Sequence, residues 1–204
     1  MSKDQEKLPG LNILCIDGGG ARGLSSLVVL QEVLNRLRGL KQNGEPLIPA
    51  DHFDYIAGSG TGGVSACMLG KLRMPIDKAI EEYEKLMKDV FTEKKVLGST
   101  AYKATKLQQA LGAMIREATG NVEEMMLGKE GEDEKCKTAV FAMAKKNMNA
   151  CIPVMFRSYR VDADPSPDCT IREALHATMA HPDLFKSVDI GNFSLKQSYT
   201  RIAT

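Results

Sequence analysis

Apolar residues along this chain alternate between short compact runs and longer stretches of helical spacing. Residues 11–16 (Leu-Asn-Ile-Leu-Cys-Ile) are a short apolar run that enters three glycines, which predicts a buried strand. Leu24, Leu27, Val28, Leu30, Val33, Leu34 and Leu37 follow at helical intervals, so a helix is expected directly after the glycines. Residues 53–57 (Phe-Asp-Tyr-Ile-Ala) predict a second short strand, again ended by a glycine-rich turn and a helix. Beyond it, Ile76, Ala79, Ile80, Tyr83, Met87 and Val90 share one face of a helix opened by Pro75. Lys78, Glu81, Glu82, Glu84, Lys85 and Lys88 fall on its solvated side. Residues 97–105 read as a loop, 106–118 as another amphipathic helix, 128–135 as a mobile charged loop and 138–144 as a core strand. No repeat or linker splits the chain, so one domain over 11–204 is expected behind a flexible segment 1–10.

Chemistry concentrates at the two strand–glycine–helix junctions. At the first, Asp17-Gly18-Gly19-Gly20-Ala21-Arg22-Gly23 brings backbone N–H groups to the start of a helix, where they suit an anion. Dinucleotide binding, phosphate cradling and an oxyanion hole all use such a loop. The spacing Gly18-x-Gly20-x-x-Gly23 matches the dinucleotide fingerprint, but Asp17 would repel a pyrophosphate. No acidic strand end follows about twenty residues on, where the ribose contact would be. That stretch is Lys41-Gln42-Asn43-Gly44-Glu45-Pro46, and no Walker lysine follows the glycines. An oxyanion loop fits these residues better, with Asp17 capping it through backbone amides.

The second junction, Gly58-Ser59-Gly60-Thr61-Gly62-Gly63, has the layout of a nucleophile elbow, Gly-x-Ser-x-Gly. Gly58 and Gly62 hold the two small positions, but Gly60 occupies the nucleophile's place. Ser59 is a fallback nucleophile; as one, it would have Ala57 and Thr61 at its small positions, and hydrogen bonding within the turn is its simpler role.

Asp-Gly-Gly-Gly-x-Arg-Gly followed by Phe-Asp-x-Ile-x-Gly-x-Ser-x-Gly-Gly, with glycine in place of that serine here, resembles the patatin-like phospholipases, which are lipid acyl hydrolases. The resemblance covers roughly residues 11–199, and it takes in Ile152-Pro153-Val154-Met155-Phe156-Arg157-Ser158-Tyr159 as a late core strand. It also takes in residues 174–185, whose Ala180-His181-Pro182-Asp183-Leu184-Phe185 matches a helix ending in Ala-x-Pro-x-x-Phe. It implies a three-layer α/β fold, a mostly parallel sheet with helices on both faces. It also implies a Ser-Asp dyad, with Gly18, Gly19, Gly20 and Arg22 at the oxyanion positions and Gly60 at the nucleophile position. The dyad aspartate belongs to an Asp-Gly-Gly or Asp-Gly-Ala turn after residues 187–200, and there the chain has Arg201-Ile202-Ala203. Both catalytic positions therefore depart from the family, as in a pseudoenzyme or a C-terminally truncated product. An active esterase with a displaced nucleophile and a non-catalytic lipid-binding or regulatory module stay open as alternatives. The implied ligand is a phospholipid or acylglycerol, and no cofactor or metal is expected.

Composition narrows the class only modestly. The chain has 204 residues, 43% of them hydrophobic, enough for one substantial core, and a net charge of +1 gives no reason to expect nucleic acid. No apolar run approaches a membrane span, and the charged first residues are no secretory signal. A cytoplasmic chain is expected, with attachment at the periphery of membranes or lipid droplets left open. Cys15, Cys67, Cys136, Cys151 and Cys169 form no Cys-x-x-Cys pair and are expected as reduced thiols, Cys15 and Cys67 buried. His52, His176 and His181 share no metal spacing; His181 suits a helix C-terminus. Most of the eleven methionines read as core filler, with Met125-Met126-Leu127 as a candidate lip for acyl chains.

Overall fold

The computed structural model describes residues 10–39, 46–94, 100–129, 135–144, 152–163, 166–190 and 193–197. Six strands, β1 (Ile13–Ile16), β2 (Tyr55–Ser59), β3 (Lys137–Ala144), β4 (Pro153–Arg157), β5 (Val188–Ile190) and β6 (Phe193–Gln197), form one sheet. Around it lie α1 (Leu24–Gly39), α2 (Thr61–Ala66), α3 (Ile76–Phe91), α4 (Ala104–Thr119) and α5 (Ile171–Met179). The strands β1, β2 and β3 are parallel neighbours, as strand–helix–strand crossovers require. On the far side of β3 the pairing turns antiparallel, with β4 along Ala139–Met143.

The register of β3 explains where the site falls. β2 covers β3 from Lys137 to Phe141 and then leaves it at Gly60. β6 takes over that edge from Ala142 to Ala144, running antiparallel, with β5 hydrogen-bonded to it. The end of β6 at Gln197 thus lies opposite Ala142, one residue beyond the Phe141–Ser59 pair. β6 therefore runs toward the elbow. Residues 201–203, the expected aspartate turn, lie outside the described residues.

A single core joins these elements. Val140, Ala142 and Phe156 from the sheet meet Val64, Met68 and Leu69 after the elbow, and Leu107, Leu111, Leu175 and Phe185 close it. Phe91, Tyr102 and Phe185 form a cluster with ring centroids 5.0–5.9 Å apart. α5 opens with a capping box: the Thr170 hydroxyl accepts the Glu173 amide while the Glu173 carboxylate accepts the Thr170 amide. Such a cap stabilises a helix by about 1 kcal/mol.

Four expectations change. Among the described residues the strand at 11–16 is an edge, with Ile13 57% exposed and only Ile16 buried, and Cys15 is exposed while Cys67 is buried. A short apolar run fits a half-covered edge as well as a central strand, because only the sheet order distinguishes them. Glu82, expected on the solvated side of α3, is buried; Lys78 Nζ sits 3.1 Å from it and also contacts Glu117 at 2.6 Å. These carboxylates, Glu117 first, hold the Lys78 ammonium above its ordinary value. The helix expected from 106 begins at Ala104. Part of each predicted loop (97–99 and 130–134) is outside the described residues. Of the candidate lip, Met125 is exposed and Met126 buried.

His176 on α5 is buried, with Nδ1 3.1 Å from Gln108 Nε2 and Nε2 without a partner. Burial holds its pKa below the ordinary imidazole value; the Lys186 backbone, outside hydrogen-bonding geometry from Nε2, opposes this. The folded state therefore binds this proton less readily than the unfolded chain. Stability from this group is complete above the unfolded pKa of about 6.5 and is lost as pH falls from there toward the folded value. The slope is at most about 1.4 kcal/mol per pH unit. Thermal melts between pH 7.5 and 5 should show a fall that His176→Gln flattens. An unchanged slope in the variant would remove His176 as its source.

Candidate functional site

The elbow forms where β2 ends. Gly60 stands at the turn with φ 57° and ψ −130°, a conformation that a side chain strains to hold and glycine adopts freely. The tightness of the turn explains the glycines two residues to either side. A Cβ at Gly58 would meet the Gly62 carbonyl and come within 2.8 Å of the Gly63 nitrogen. One at Gly62 would meet the Ile16 carbonyl oxygen and lie 2.6 Å from the Asp17 carbonyl carbon. The elbow is thus pressed directly onto the end of β1. Ser59 is the last strand residue, in register with Phe141, and half-buried.

The glycine loop leaves β1 at the same end of the sheet. Asp17, Gly18 and Arg22 are exposed there, while Gly19 and Gly20 are partly covered. Gly20 has φ +57°, and residues 20–23 form one 3₁₀ turn closed by the Arg22 amide on the Gly19 carbonyl at 3.2 Å. The Gly19 and Gly20 amides both donate to the Thr61 hydroxyl, at 3.1 and 3.0 Å. Two amides converging on one oxygen is the donor geometry of an oxyanion hole. Here the oxygen belongs to Thr61, so these donors are satisfied within the fold. Thr61, not the Asp17 carboxylate, accepts the loop amides, which corrects the expectation of an Asp17 cap.

Two further hydroxyls lock the arrangement. Fully buried Tyr83 on α3 donates to the Gly20 carbonyl at 2.6 Å. Burial raises the Tyr83 pKa, and the Thr61 hydroxyl beside it pulls the other way. A Cβ at Gly23 would collide with the Tyr83 hydroxyl, which accounts for the last glycine of the loop. From α5, the buried Thr178 hydroxyl accepts the Gly60 amide and donates to the Phe141 carbonyl, both at 2.7 Å. The loop and the elbow, about forty residues apart in sequence, are therefore one assembly tied by Thr61.

Sequence reasoning found the glycines and missed the hydroxyls. Thr61 was visible between Gly60 and Gly62, and Thr178 within the 174–185 segment, but a lone threonine carries no periodic signal. His181 makes local bonds just past the end of α5, where its carbonyl accepts the Leu184 and Phe185 amides and its Nδ1 accepts the Asp183 amide. Among the described residues, no cluster of His, Cys, Asp and Glu could hold a metal ion, and no helix is long and apolar enough to cross a membrane.

A family model described as patatin-like phospholipase matches residues 14–195. Calcium-independent phospholipase A2-gamma of Rattus norvegicus is 44% identical over 96 residues, 47% of this chain and 11% of that protein. Patatin-like protein 2 of Arabidopsis thaliana is 28% identical over 184 residues, 84% of this chain and 42% of that protein. The chain thus spans less than half the length of either relative. The crystal structure of VipD from Legionella pneumophila shares the fold, with a TM-score of 0.53 at 12% identity over 93% of this chain and 46% of that one. The family match extends from within β1 to within β6, through both glycine junctions, and the chain belongs to the patatin-like phospholipase family.

Proposed function

We propose that residues 11–204 form a lipid acyl hydrolase domain that has lost hydrolysis, a scaffold that can hold a phospholipid or acylglycerol without cleaving it. The observation that carries this reading is Gly60. It holds the strained turn conformation in which a nucleophile is presented, and it has no side chain to present. Removal of the nucleophile from a serine hydrolase costs about 10⁶ in turnover, while binding and an oxyanion hole alone retain roughly 10³ to 10⁴ over water. Loss of the aspartate as well adds little, because the two act as one unit. In the same reading Gly18, Gly19, Gly20 and Arg22 are the remnant oxyanion loop, and Gly58 and Gly62 keep the elbow tight. The direction of β6 supports the aspartate position at Arg201. In this reading the chain is cytoplasmic and works at the surface of membranes or lipid droplets.

Fluorophosphonate labelling with peptide mass spectrometry tests the proposal. The natural chain should take up no probe. Gly60→Ser combined with Arg201→Asp, Ile202→Gly and Ala203→Gly should acquire an adduct at position 60. An adduct on Ser59 of the natural chain would overturn the reading in favour of a displaced nucleophile. The strand position of Ser59, before the turn, argues against that outcome.

A further inference from the structure

Nine large apolar side chains are exposed among the described residues, and six of them, Leu11, Ile13, Val28, Val29, Val33 and Leu37, belong to β1, its approach and α1. Val29, Val33 and Leu37 stand four residues apart and form one stripe along α1. On one flank of the stripe, Leu27, Leu30 and Leu34 turn into the core. Glu32 and Arg36 line the other, paired at 2.7 Å and 59% and 80% exposed. β1 is the terminal strand on its side of the sheet and, among the described residues, pairs with β2 alone. Among the described residues, no strand takes its outer N–H and C=O groups.

We propose that the α1 stripe forms a two-fold contact between two copies of this chain. The charged flank selects the occupant. A two-fold axis packs the helices antiparallel with their charged flanks on the same side, so Glu32 of one copy faces Arg36 of the other. A flank with one acid and one base a turn apart is complementary to itself reversed, whereas a flank of one sign would repel its own copy. A lipid surface selects basic residues around an apolar stripe, and this flank carries an acid with its base.

Sedimentation velocity of the full chain over a range of concentrations tests the contact. The natural chain should sediment as a dimer. Val33→Glu, at a position 47% exposed and so compatible with folding, should weaken the dimer by about tenfold or more. Circular dichroism melts confirm that this variant is folded. Glu32→Arg and Arg36→Glu should each weaken self-association, and an equal mixture of the two should dimerise again, because an all-basic flank then meets an all-acidic one. A natural chain that is monomeric at every concentration overturns the proposal. So does a dimer indifferent to Val33→Glu, a mixture that fails to re-associate, or capture by phosphatidylcholine vesicles in place of self-association.

Discussion

Gly62→Ala is expected to abolish the cooperative melt of this chain, although it adds one methyl group to a short helix that alanine ordinarily favours. The reason lies in what surrounds that position. The new carbon would sit on the Ile16 carbonyl oxygen and 2.6 Å from both the carbonyl carbon and oxygen of Asp17. These are backbone atoms at the end of a paired strand, so no side chain can swing aside. Relief requires β1 and the glycine loop to move away from the elbow. That motion would break the two amide bonds from Gly19 and Gly20 to Thr61. Overpacking of this kind costs about 1–3 kcal/mol where side chains can adjust, and more where backbone must move. A domain of ordinary stability, about 5–15 kcal/mol, is left marginal or unfolded. Gly10→Ala, with nothing within 4 Å of the added carbon, is the control and should melt as the natural chain does. A Gly62→Ala chain with an unaltered melting temperature would show that β1 yields freely and that the elbow does not depend on contact with it.

The glycines of the elbow were legible in the sequence because steric exclusion leaves an unmistakable residue type. Gly58 and Gly62 are small for the reason the motif supposes, close approach of backbone to backbone. The faces of α3 and the strand β3 were legible from periodicity, since Ile76, Ala79, Tyr83 and Val90 are all buried. Position in the sheet was not legible. The 11–16 run has the composition of a central strand, yet among the described residues β1 lies at an edge, and nothing local to those residues reports which strands flank them. Glu82 was misplaced for a related reason: helical spacing assigns it to the polar side, while Lys78 and Lys85 make its burial tolerable. The three hydroxyls of the site were least legible, because each acts on a segment 37 to 118 residues away in sequence.

Thr178→Val should destabilise the fold by about 2–5 kcal/mol, although it preserves the shape of the side chain almost atom for atom. Thr178 fills a gap in the sheet ladder. β2 leaves β3 after the Ser59–Phe141 pair and β6 ends opposite Ala142, so the Phe141 carbonyl faces the break between them. The Thr178 hydroxyl donates to that carbonyl and accepts the Gly60 amide, and it is wholly buried. Valine would leave one backbone acceptor and one backbone donor unsatisfied, each at about 1–3 kcal/mol. Thr178→Ser keeps both bonds and loses only the methyl group, which packs against Gly63, so it should cost about 1 kcal/mol. Chemical denaturation separates the two variants. If Thr178→Val matches Thr178→Ser, the bridge contributes nothing and packing alone explains the threonine. If valine is the more damaging, the apex of the elbow is held from α5 by a hydroxyl. The same substitution made in the Gly60→Ser form with the rebuilt aspartate turn should then also reduce fluorophosphonate uptake at position 60, because the amide that fixes the presenting residue has lost its anchor.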